Sequence, residues 1–445
     1  MDARGNDYDA VVIGGGPSGC AYAITLARSG HSVLLLEREK FPRFHIGESL
    51  LPYTSEVLEQ LGLLQRVGEG GFPIKTGLEL SGSVRFLRRV ALADIGDGYR
   101  HWTFQVERAH FDKILLDAAS EEPSTTVLEE ARVNELLFSG ERVAGVRYTR
   151  HGRQDSATAR FVVDASGRAG VVARGLGLRK KDATLEMAAV FKHFSGLDEQ
   201  YNPGVEGDTQ IGVHEDGWLW AIPIRKDVIS IGAMAPAELL RKSRPEDVFT
   251  SHLQRLPRIR DRIRGTAVLR GLTGEQNFEY HSNTLAGPGY FIVGDSGCFT
   301  DPVFSAGVFL ALTTGKRAAE ESIRCLGGDM SETEAARRYQ AFFKTGYESY
   351  YRLIRAVYDN RHPVMGQFMA KLLRDEGIAE KYRVRALNGD FFTDTNPFVN
   401  RLRDEEEWAL FGSFEPLYGC PVYGDRQPAS SPRSEVPPAT SVAAV

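Results

Sequence analysis

Residues 11–19 read V-V-I-G-G-G-P-S-G, and this stretch decides the fold. A short apolar strand leads directly into a glycine-rich turn, and the next apolar stretch ends at Glu37, 18 residues after Gly19. The pattern predicts a strand, turn and helix that hold a dinucleotide, because the free N–H groups of a helix N-terminus bind phosphates. Gly14 permits the tight turn, Gly16 lets the backbone approach a pyrophosphate, and Gly19 lets the helix pack on the sheet. Glu37 is placed to bind a ribose, and the fingerprint alone leaves NAD and FAD open.

Length and composition narrow the class of protein. A chain of 445 residues predicts two domains with additional elements, and a net charge of −5 argues against nucleic acid and polybasic membrane contacts. The four cysteines form no C-x-x-C pair, which predicts neither a metal site nor a disulfide framework. The N-terminus is polar and acidic, and no apolar run reaches the roughly 18 residues of a membrane helix. We therefore expect a cytoplasmic protein without membrane contacts.

Hydrophobic periodicity predicts the order of the elements. The expected strands and helices are: strands at 8–13, 33–37, 142–149, 160–164 and 290–293, and helices at 17–29, 54–66, from Arg108 onward, 306–325 and 331–358. The stretch 184–280 is mostly strand-like, and 363–412 has the pattern of further helices. The sequence S-E-T-E at 331–334 predicts a capping box at the start of the last long helix.

Three further segments favour FAD over NAD: Q-V-E-R at 105–108, V-V-D-A-S-G at 162–167 and F-I-V-G-D-S-G-C-F-T-D-P at 291–302. In the third, a buried strand delivers Asp295 at its carboxyl end, where open α/β sheets bind ligands. Together with the fingerprint, these motifs resemble the aromatic hydroxylases related to p-hydroxybenzoate hydroxylase over roughly residues 5–325. The resemblance implies that Asp164, Asp295 and Arg108 contact the cofactor, although both aspartates can also cap turns.

We predict an α/β protein in which a Rossmann-like FAD-binding domain is interleaved with a β-sheet-rich substrate domain, followed by a helical C-terminal region. The predicted parts are: 1–180 and 281–330 for the FAD-binding domain, 181–280 for the substrate-side sheet domain, with 51–100 contributing to the substrate side, 331–423 for a helical substrate lid, and 424–445 for a disordered tail. The tail is rich in Pro, Ser, Ala and Arg.

Three other segments indicate which kind of flavoenzyme this is: G-F-P-I-K-T-G at 71–77, W-L-W-A-I-P at 218–223 and F-T-D-P-V-F-S-A-G at 299–307. Here the chain resembles the flavin-dependent halogenases, in the branch that acts on phenols and pyrroles. The loop 41–52, F-P-R-F-H-I-G-E-S-L-L-P, is also similar to the flavin-side strap of that family. Ala306 and Phe309 depart from the Ser and His that carrier-protein and glycopeptide halogenases often carry.

The resemblance implies a role for each motif. Lys75 matches the catalytic lysine, which activates hypochlorous acid by a hydrogen bond or as a chloramine, and Trp218 and Trp220 separate substrate from flavin. The turn Ser305–Gly307, with Ala306 at its centre, implies a halide site, because N–H groups at a helix start hold anions. The implied cofactor-binding residues are Gly14, Gly16, Ser18, Gly19, Glu37, Arg38, Ser49, Arg108, Asp295, Pro302 and Gly307.

The same resemblance implies the reaction. FAD, supplied as FADH2 by a separate flavin reductase, works with O2 and chloride or bromide on an electron-rich phenol or pyrrole, free or bound to an acyl carrier protein, without a metal. The alternatives are an aromatic hydroxylase or prenyl-chain reductase of the same fold, and a flavin-binding protein without activity. In those cases Lys75 is a solvated charge and the W-x-W strand is ordinary packing.

Overall fold

The computed structural model describes residues 6–82, 86–182, 186–197, 206–276, 279–358, 377–404, 406, 409–411 and 436–437. Its strands are β1 (Tyr8–Ile13), β2 (Val33–Leu36), β3 (Ile74–Lys75), β4 (Gly77–Gly82), β5 (Phe86–Ala91), β6 (Thr103–Phe104), β7 (Thr125–Leu128), β8 (Ala131–Ser139), β9 (Arg142–Arg150), β10 (Arg153–Asp164), β11 (Arg179–Lys181), β12 (Met187–Ser195), β13 (Thr209–His214), β14 (Gly217–Arg225), β15 (Val228–Pro236), β16 (Ala267–Gln276), β17 (Tyr280–Ser282), β18 (Ala286–Gly287) and β19 (Tyr290–Ile292). Its helices are α1 (Pro17–Arg28), α2 (Pro52–Gln60), α3 (Leu64–Gly68), α4 (Arg108–Glu121), α5 (Val171–Gly175), α6 (Ala237–Lys242), α7 (Pro245–Arg255), α8 (Pro257–Arg262), α9 (Gly307–Leu326), α10 (Glu332–Tyr358), α11 (Glu380–Leu387) and α12 (Pro397–Arg403).

The first sheet has the order β18-β19-β10-β1-β2-β7, and β19, β10, β1, β2 and β7 are parallel. All four residues of β2 and the last four of β1 are buried, as expected for parallel strands covered on both faces. Ile13 pairs with Asp164, and Asp164 pairs with Ile292. Three strands therefore end at one edge, where a ligand can meet all of them.

The second sheet has the order β16-β12-β15-β14-β13-β4-β5. It takes β4 and β5 from residues 77–91, and its middle strand β14 carries the W-x-W sequence. The prediction that 184–280 is mostly strand misses the helices α6, α7 and α8. Two of these helices begin at a proline, and α7 buries Val248 and Phe249 against the sheet. Such short helices leave only a few residues of helical periodicity in the sequence.

Two smaller predictions also change. The helix predicted at 54–66 is two helices, α2 and α3, because Gly62 between them has a φ of 65°. At the start of α10, the Ser331 hydroxyl accepts a hydrogen bond from the Glu334 N–H group at 3.3 Å, but the Glu334 carboxylate pairs with Arg337. Half of the predicted capping box therefore forms.

The C-terminal helices pack against the first sheet through aromatic side chains. The Tyr339 hydroxyl of α10 donates to the Ile292 carbonyl at 2.7 Å, and Phe342 stacks on Phe392 with ring centroids 4.5 Å apart. Apart from residues 436 and 437, the predicted disordered tail 424–445 lies outside the described residues. Among the described helices, none has the length and apolar character required to cross a membrane.

Candidate active site

The glycine turn after β1 shows which glycines the fold itself requires. Gly14 has a φ of 109°, and a Cβ atom there would lie 2.3 Å from the Ala165 carbonyl oxygen. A Cβ atom on Gly19 would lie 2.0 Å from the Gly14 carbonyl oxygen, so this glycine lets α1 pack on the turn. A Cβ atom on Gly16 would meet only the Arg43 guanidinium, at 3.7 Å. Gly16, the second glycine of the G-x-G-x-x-G pattern, therefore borders open space at the edge of the sheet.

Glu37 lies beside this turn. Its carboxylate is buried and accepts hydrogen bonds from the Gly15 N–H group at 2.7 Å and the Glu39 N–H group at 2.8 Å. The adjacent Arg38 has an exposed side chain that pairs with Glu39. Ser18 is buried in the first turn of α1. The turn and the acid at the end of β2 are thus brought together as the fingerprint predicts.

The strap at 41–52 is held in place by a buried ion-pair cluster. Arg108 donates to both oxygens of Asp112, at 2.7 and 3.0 Å, and to the carbonyls of Ile46 and Gly47 at 2.8 and 3.1 Å. Arg43 donates to Asp112 at 2.8 Å. Burial acts to raise the pKa of the Asp112 carboxyl, but the two arginines outweigh it and hold that pKa below its usual value. Arg108 therefore orders the strap.

Two aspartates at the sheet edge differ in their surroundings. Asp295 lies in the 3-10 turn Gly294–Ser296 after β19, and its carboxylate accepts no hydrogen bond from the described residues. Burial raises its pKa to about 6, against the opposing effect of Arg108 and two other arginines. Asp164 instead accepts the N–H groups of Val172 and Ala173 at 2.7 and 3.1 Å. The carboxylate of Asp164 therefore caps α5, and its contact with a cofactor stays a prediction.

These features fit FAD. The open space beside Gly16 suits a pyrophosphate at the N-terminus of α1, and Glu37 lies next to the place of the adenosine ribose. Asp295 leaves its carboxylate oxygens available for hydroxyl groups of the ribityl chain. The donors and acceptors are thus arranged along one edge of the first sheet.

Lys75 lies on β3, a two-residue strand paired with β6. Its side chain is only 4% exposed, and its Nζ atom donates to Ser49 Oγ at 3.0 Å and to the Leu50 carbonyl at 3.2 Å. Burial lowers the pKa of Lys75 to about 8, opposed by the charge of Asp208. The amine therefore exchanges protons near neutral pH.

Ser49 connects Lys75 to the second sheet. Its hydroxyl lies 3.0 Å from Thr209 Oγ1, and Gln105 Nε2 donates to the same Thr209 oxygen at 2.7 Å. The Ser49 hydroxyl accepts the hydrogen bond of Lys75, and its expected contact with the cofactor stays a prediction. This network joins the strap, β3 and β13, although the strap and β13 are far apart in sequence.

The predicted halide turn precedes α9. Ser305 has a φ of 57°, which is unusual for a residue other than glycine, and its N–H group donates to the Pro302 carbonyl at 2.8 Å. Ala306 is the N-cap of α9, and Gly307 is its first residue. No atom lies within 4 Å of a Cβ atom placed on Gly307. The first N–H groups of this 20-residue helix have no intrahelical acceptor, and the side of Gly307 on which a Cβ atom would stand is open.

The two tryptophans lie on β14 with ring centroids 5.8 Å apart. Both are buried, but they are held in different ways. Trp220 donates to Ser230 Oγ at 3.2 Å, within its own sheet. Trp218 donates to the Tyr358 hydroxyl at 2.8 Å, at the end of α10. The pair is therefore fixed partly by the sheet and partly by the C-terminal helices.

Sequence reasoning missed two buried acids beside the halide turn. Asp301 Oδ2 accepts a hydrogen bond from the Tyr358 hydroxyl at 2.8 Å, and burial raises the pKa of Asp301 to about 7. Glu279 Oε1 accepts hydrogen bonds from the Thr300 hydroxyl at 2.7 Å and the Asp301 N–H group at 3.1 Å, and burial raises its pKa to about 8. Asp301 is inside the quoted F-T-D-P motif, but only the fold shows its contact with α10. Nothing in the sequence pattern singled out Glu279.

Comparison with known proteins identifies the family of the chain. A family described as an FAD binding domain matches residues 7–313. The chain is 33% identical to the tryptophan 2-halogenase of Chondromyces crocatus, over 78% of this chain and 67% of that protein. It is 30% identical to the 1H-pyrrole-2-carbonyl-[peptidyl-carrier protein] brominase of Pseudoalteromonas luteoviolacea, over 72% of this chain and 79% of that protein. The structure of the flavin-dependent brominase Bmp2 superposes with a TM-score of 0.78 at 29% identity, over 90% of this chain and 98% of that chain.

The FAD-binding-domain match covers more than half of the chain, and it therefore identifies both the fold and the cofactor, FAD. Within that class, the chain belongs to the flavin-dependent halogenases. The relatives named above differ in substrate, since one acts on tryptophan and another on a carrier-bound pyrrole.

We expect Gly16→Val to weaken FAD binding roughly ten- to a hundredfold, because the added side chain fills the space that the pyrophosphate needs, and overpacking costs about 1–3 kcal/mol. Glu37→Ala removes one acceptor and has the smaller effect. Flavin fluorescence titration measures both. The thermal midpoint of flavin-free Gly16→Val serves as the control, since its Cβ atom meets nothing closer than 3.7 Å. Unchanged FAD affinity in Gly16→Val rejects the fingerprint assignment.

Proposed function

We propose that this protein uses FADH2, O2 and chloride or bromide to halogenate an electron-rich aromatic substrate, a phenol or a pyrrole. In the overall reaction FADH2, O2, halide, a proton and the aromatic C–H compound give FAD, the aryl halide and two waters. The bound flavin supplies two electrons to O2 and so makes the oxidant for the halide. The residues of this chain bind the halide, guide the oxidised halogen and exclude the substrate from the flavin.

The observation that carries this proposal is the buried Lys75. A solvated surface lysine, which is the alternative interpretation, would be exposed and would have no reason to lie within hydrogen-bond distance of Ser49 and Leu50. A desolvated amine with a pKa of about 8 can donate a hydrogen bond to hypochlorous acid, or, when neutral, can accept the chlorine. Both routes deliver an electrophilic halogen at one fixed point.

The halide site of the proposal is the N-terminus of α9. The first amides of a helix have no intrahelical acceptor and bind an anion without requiring a positive side chain, and the open side of Gly307 leaves room beside them. The left-handed conformation of Ser305 turns the chain sharply ahead of these amides. Ala306 is compatible with this role, because the ligand groups are backbone N–H groups.

Phe309 stands where carrier-protein and glycopeptide halogenases often have His, so its surroundings are relevant to the class of substrate. In this chain it is fully buried, with its ring centroid 6.1 Å from Tyr53 and 5.8 Å from Phe392. It therefore packs toward α2 and the C-terminal segment. We propose that the substrate is a phenolic or pyrrolic ring, free or presented by an acyl carrier protein, as in the carrier-dependent pyrrole brominase to which the chain is similar.

The decisive experiment supplies a flavin reductase, NADH, FAD and chloride or bromide with a panel of phenols, free pyrroles and pyrrolyl carrier-protein thioesters. Mass spectrometry reads the chlorine or bromine isotope pattern. Halogenated product that requires both halide and the reductase supports the proposal. Oxygenated product without halogen, or NADPH oxidation by the purified protein alone, favours the hydroxylase alternative. Flavin binding with no turnover of any substrate favours the non-catalytic alternative.

Ser49→Ala tests the surroundings of Lys75. The variant removes one of the two acceptors of the Lys75 amine, and we expect halogenation to fall about tenfold, as for a hydrogen bond to a charged group. FAD affinity stays at the wild-type value if the side chain of Ser49 serves Lys75 and not the cofactor. Parallel flavin titration and product assays measure the two effects. A loss of FAD affinity with normal turnover of the bound fraction contradicts this interpretation.

A further inference from the structure

One chain of hydrogen bonds joins the W-x-W strand, the end of α10 and the loop before the halide turn. The Trp218 indole N–H group donates to the Tyr358 hydroxyl at 2.8 Å, and that hydroxyl donates to Asp301 Oδ2 at 2.8 Å. The other carboxylate oxygen of Asp301 accepts the Val303 N–H group at 2.9 Å. The hydrogen bonds therefore connect β14, through the end of α10, with the loop that ends in the halide turn.

The two ends of this chain of hydrogen bonds, Trp218 and Asp301, are buried, and Tyr358 between them is partly buried. Trp218 is 2% exposed and Asp301 is 1% exposed. Burial raises the pKa of the Tyr358 hydroxyl well above its usual value, so this group keeps its proton and acts as a donor. Hydrogen bonds in such surroundings fix geometry, because a buried group that loses its partner cannot turn to water instead.

Trp220 shows what is specific about Trp218. The Trp220 ring lies against Gly232, and its N–H group bonds to Ser230 on β15. Its position is thus set inside the second sheet. The N–H group of Trp218 reaches out of that sheet, and its partner is on the C-terminal helix. Only the first tryptophan of the W-x-W pair is linked to the halide-turn loop by this chain.

We propose that Asp301 and Tyr358 are positioning residues that hold Trp218 in register with the halide turn, so that the wall between substrate and flavin is set by the same loop that carries the halide site. The inference rests on the proposed function and deepens it. Its consequence is a change in how the oxidising equivalents are used. A displaced Trp218 lets them escape as hydrogen peroxide or free hypochlorous acid, while FAD binding and Lys75 are retained.

Tyr358→Phe removes one hydroxyl and keeps the ring. Asp301→Asn keeps the shape of Asp301 but, with its oxygen still held by the Val303 N–H group, turns an amide donor toward Tyr358. In both variants the Trp218 N–H group loses or weakens its bond. We expect the fraction of consumed FADH2 recovered as halogenated product to fall about fivefold, the equivalent of one hydrogen bond worth about 1 kcal/mol.

Ultraviolet resonance Raman spectroscopy of the flavin-free protein reports the hydrogen bonding of indole N–H groups directly. The Trp218 contribution is obtained by difference against Trp218→Phe, since the chain has four tryptophans. The matched control is Tyr350→Phe, which lies on the same helix and donates to the Asp301 carbonyl at 2.8 Å, not to the carboxylate. We expect a shifted Trp218 band in Tyr358→Phe and Asp301→Asn, and the wild-type band in Tyr350→Phe.

An unshifted band in Tyr358→Phe, or an equal shift in Tyr350→Phe, overturns the inference. So does a shifted band with an unchanged halogenated fraction, because Trp218 then moves without consequence. If the wild-type protein halogenates no substrate in the panel, the proposed function itself is wrong. This outcome is distinct from failure of the inference, because it is seen in the wild type without any variant.

Discussion

Lys75→Ala is expected to lower halogenation at least about a hundredfold while the protein still oxidises reduced flavin. Removing a positioned acid–base group typically costs 10²–10⁴-fold, and the structure shows no second amine bonded to Ser49 among the described residues. The oxidising equivalents then leave as hydrogen peroxide or free hypochlorous acid. Product mass spectrometry and a peroxide assay measure the two outcomes together.

Lys113→Ala is the matched control for this change, because Lys113 is a partly exposed lysine that pairs with Asp117 on α4. We expect it to leave halogenation unchanged. If Lys75→Ala halogenates at the wild-type rate, the assignment of Lys75 is wrong and the hydroxylase alternative becomes the better interpretation.

The pH profile separates the two roles open to Lys75. Burial lowers its pKa to about 8, so the charged form predominates below that pH and the neutral form above it. A rate that falls as pH rises through about 8 identifies the ammonium as a hydrogen-bond donor. A rate that rises over the same interval identifies the neutral amine as the group that accepts chlorine. Partial activity of Lys75→Arg also favours the hydrogen bond, because arginine keeps its charge and donors.

Gly307→Leu is expected to reduce halogenation about tenfold or more while FAD remains bound. The new side chain enters the open space at the N-terminus of α9 and crowds the proposed halide, and overpacking of this kind costs about 1–3 kcal/mol. We expect the variant to fold, since a Cβ atom on Gly307 meets nothing within 4 Å beyond its own neighbours and helix, and its backbone is helical. The measurement is the halogenation rate as a function of chloride concentration, with FAD binding followed by fluorescence.

Gly271→Leu makes the same chemical change at a glycine of β16 that also has no atom within 4 Å of its Cβ position. We expect it to behave like the wild type. A Gly307→Leu enzyme with the wild-type chloride dependence would mean that the Ser305–Gly307 turn serves only the fold.

The first sheet could be predicted because its signals are local. An apolar run, a glycine turn and a helical pattern fix β1 and α1 within a few residues, and Gly14 and Gly19 have the tight contacts that their spacing indicates. Asp164 and Asp295 look alike in sequence, since each comes at the end of a short apolar run. They differ because α5 begins after Asp164 and presents its amides to that carboxylate, which no residue pattern indicates.

The site itself could be predicted only in part. The motif around Lys75 points to the residue, but its partner Ser49 comes from the strap, and the network continues to Thr209 on another sheet. Such contacts depend on how distant segments pack. The same is true of Tyr358, whose position at the end of a long amphipathic helix predicts burial and gives no sign that its hydroxyl connects two motifs.

Helix α9 joins two sites in one rigid element. Its first residue is Gly307, and further along it Gly315 packs so closely on α1 that a Cβ atom there would lie 2.2 Å from the Ser18 carbonyl oxygen. The amides proposed for the halide are therefore locked to the helix that starts at the glycine turn. Most of the tryptophan-bearing sheet is built from other parts of the chain. Changes in that sheet can therefore alter the substrate side of the molecule, while the distance between the glycine turn and the proposed halide turn stays fixed by the contact of α9 with α1.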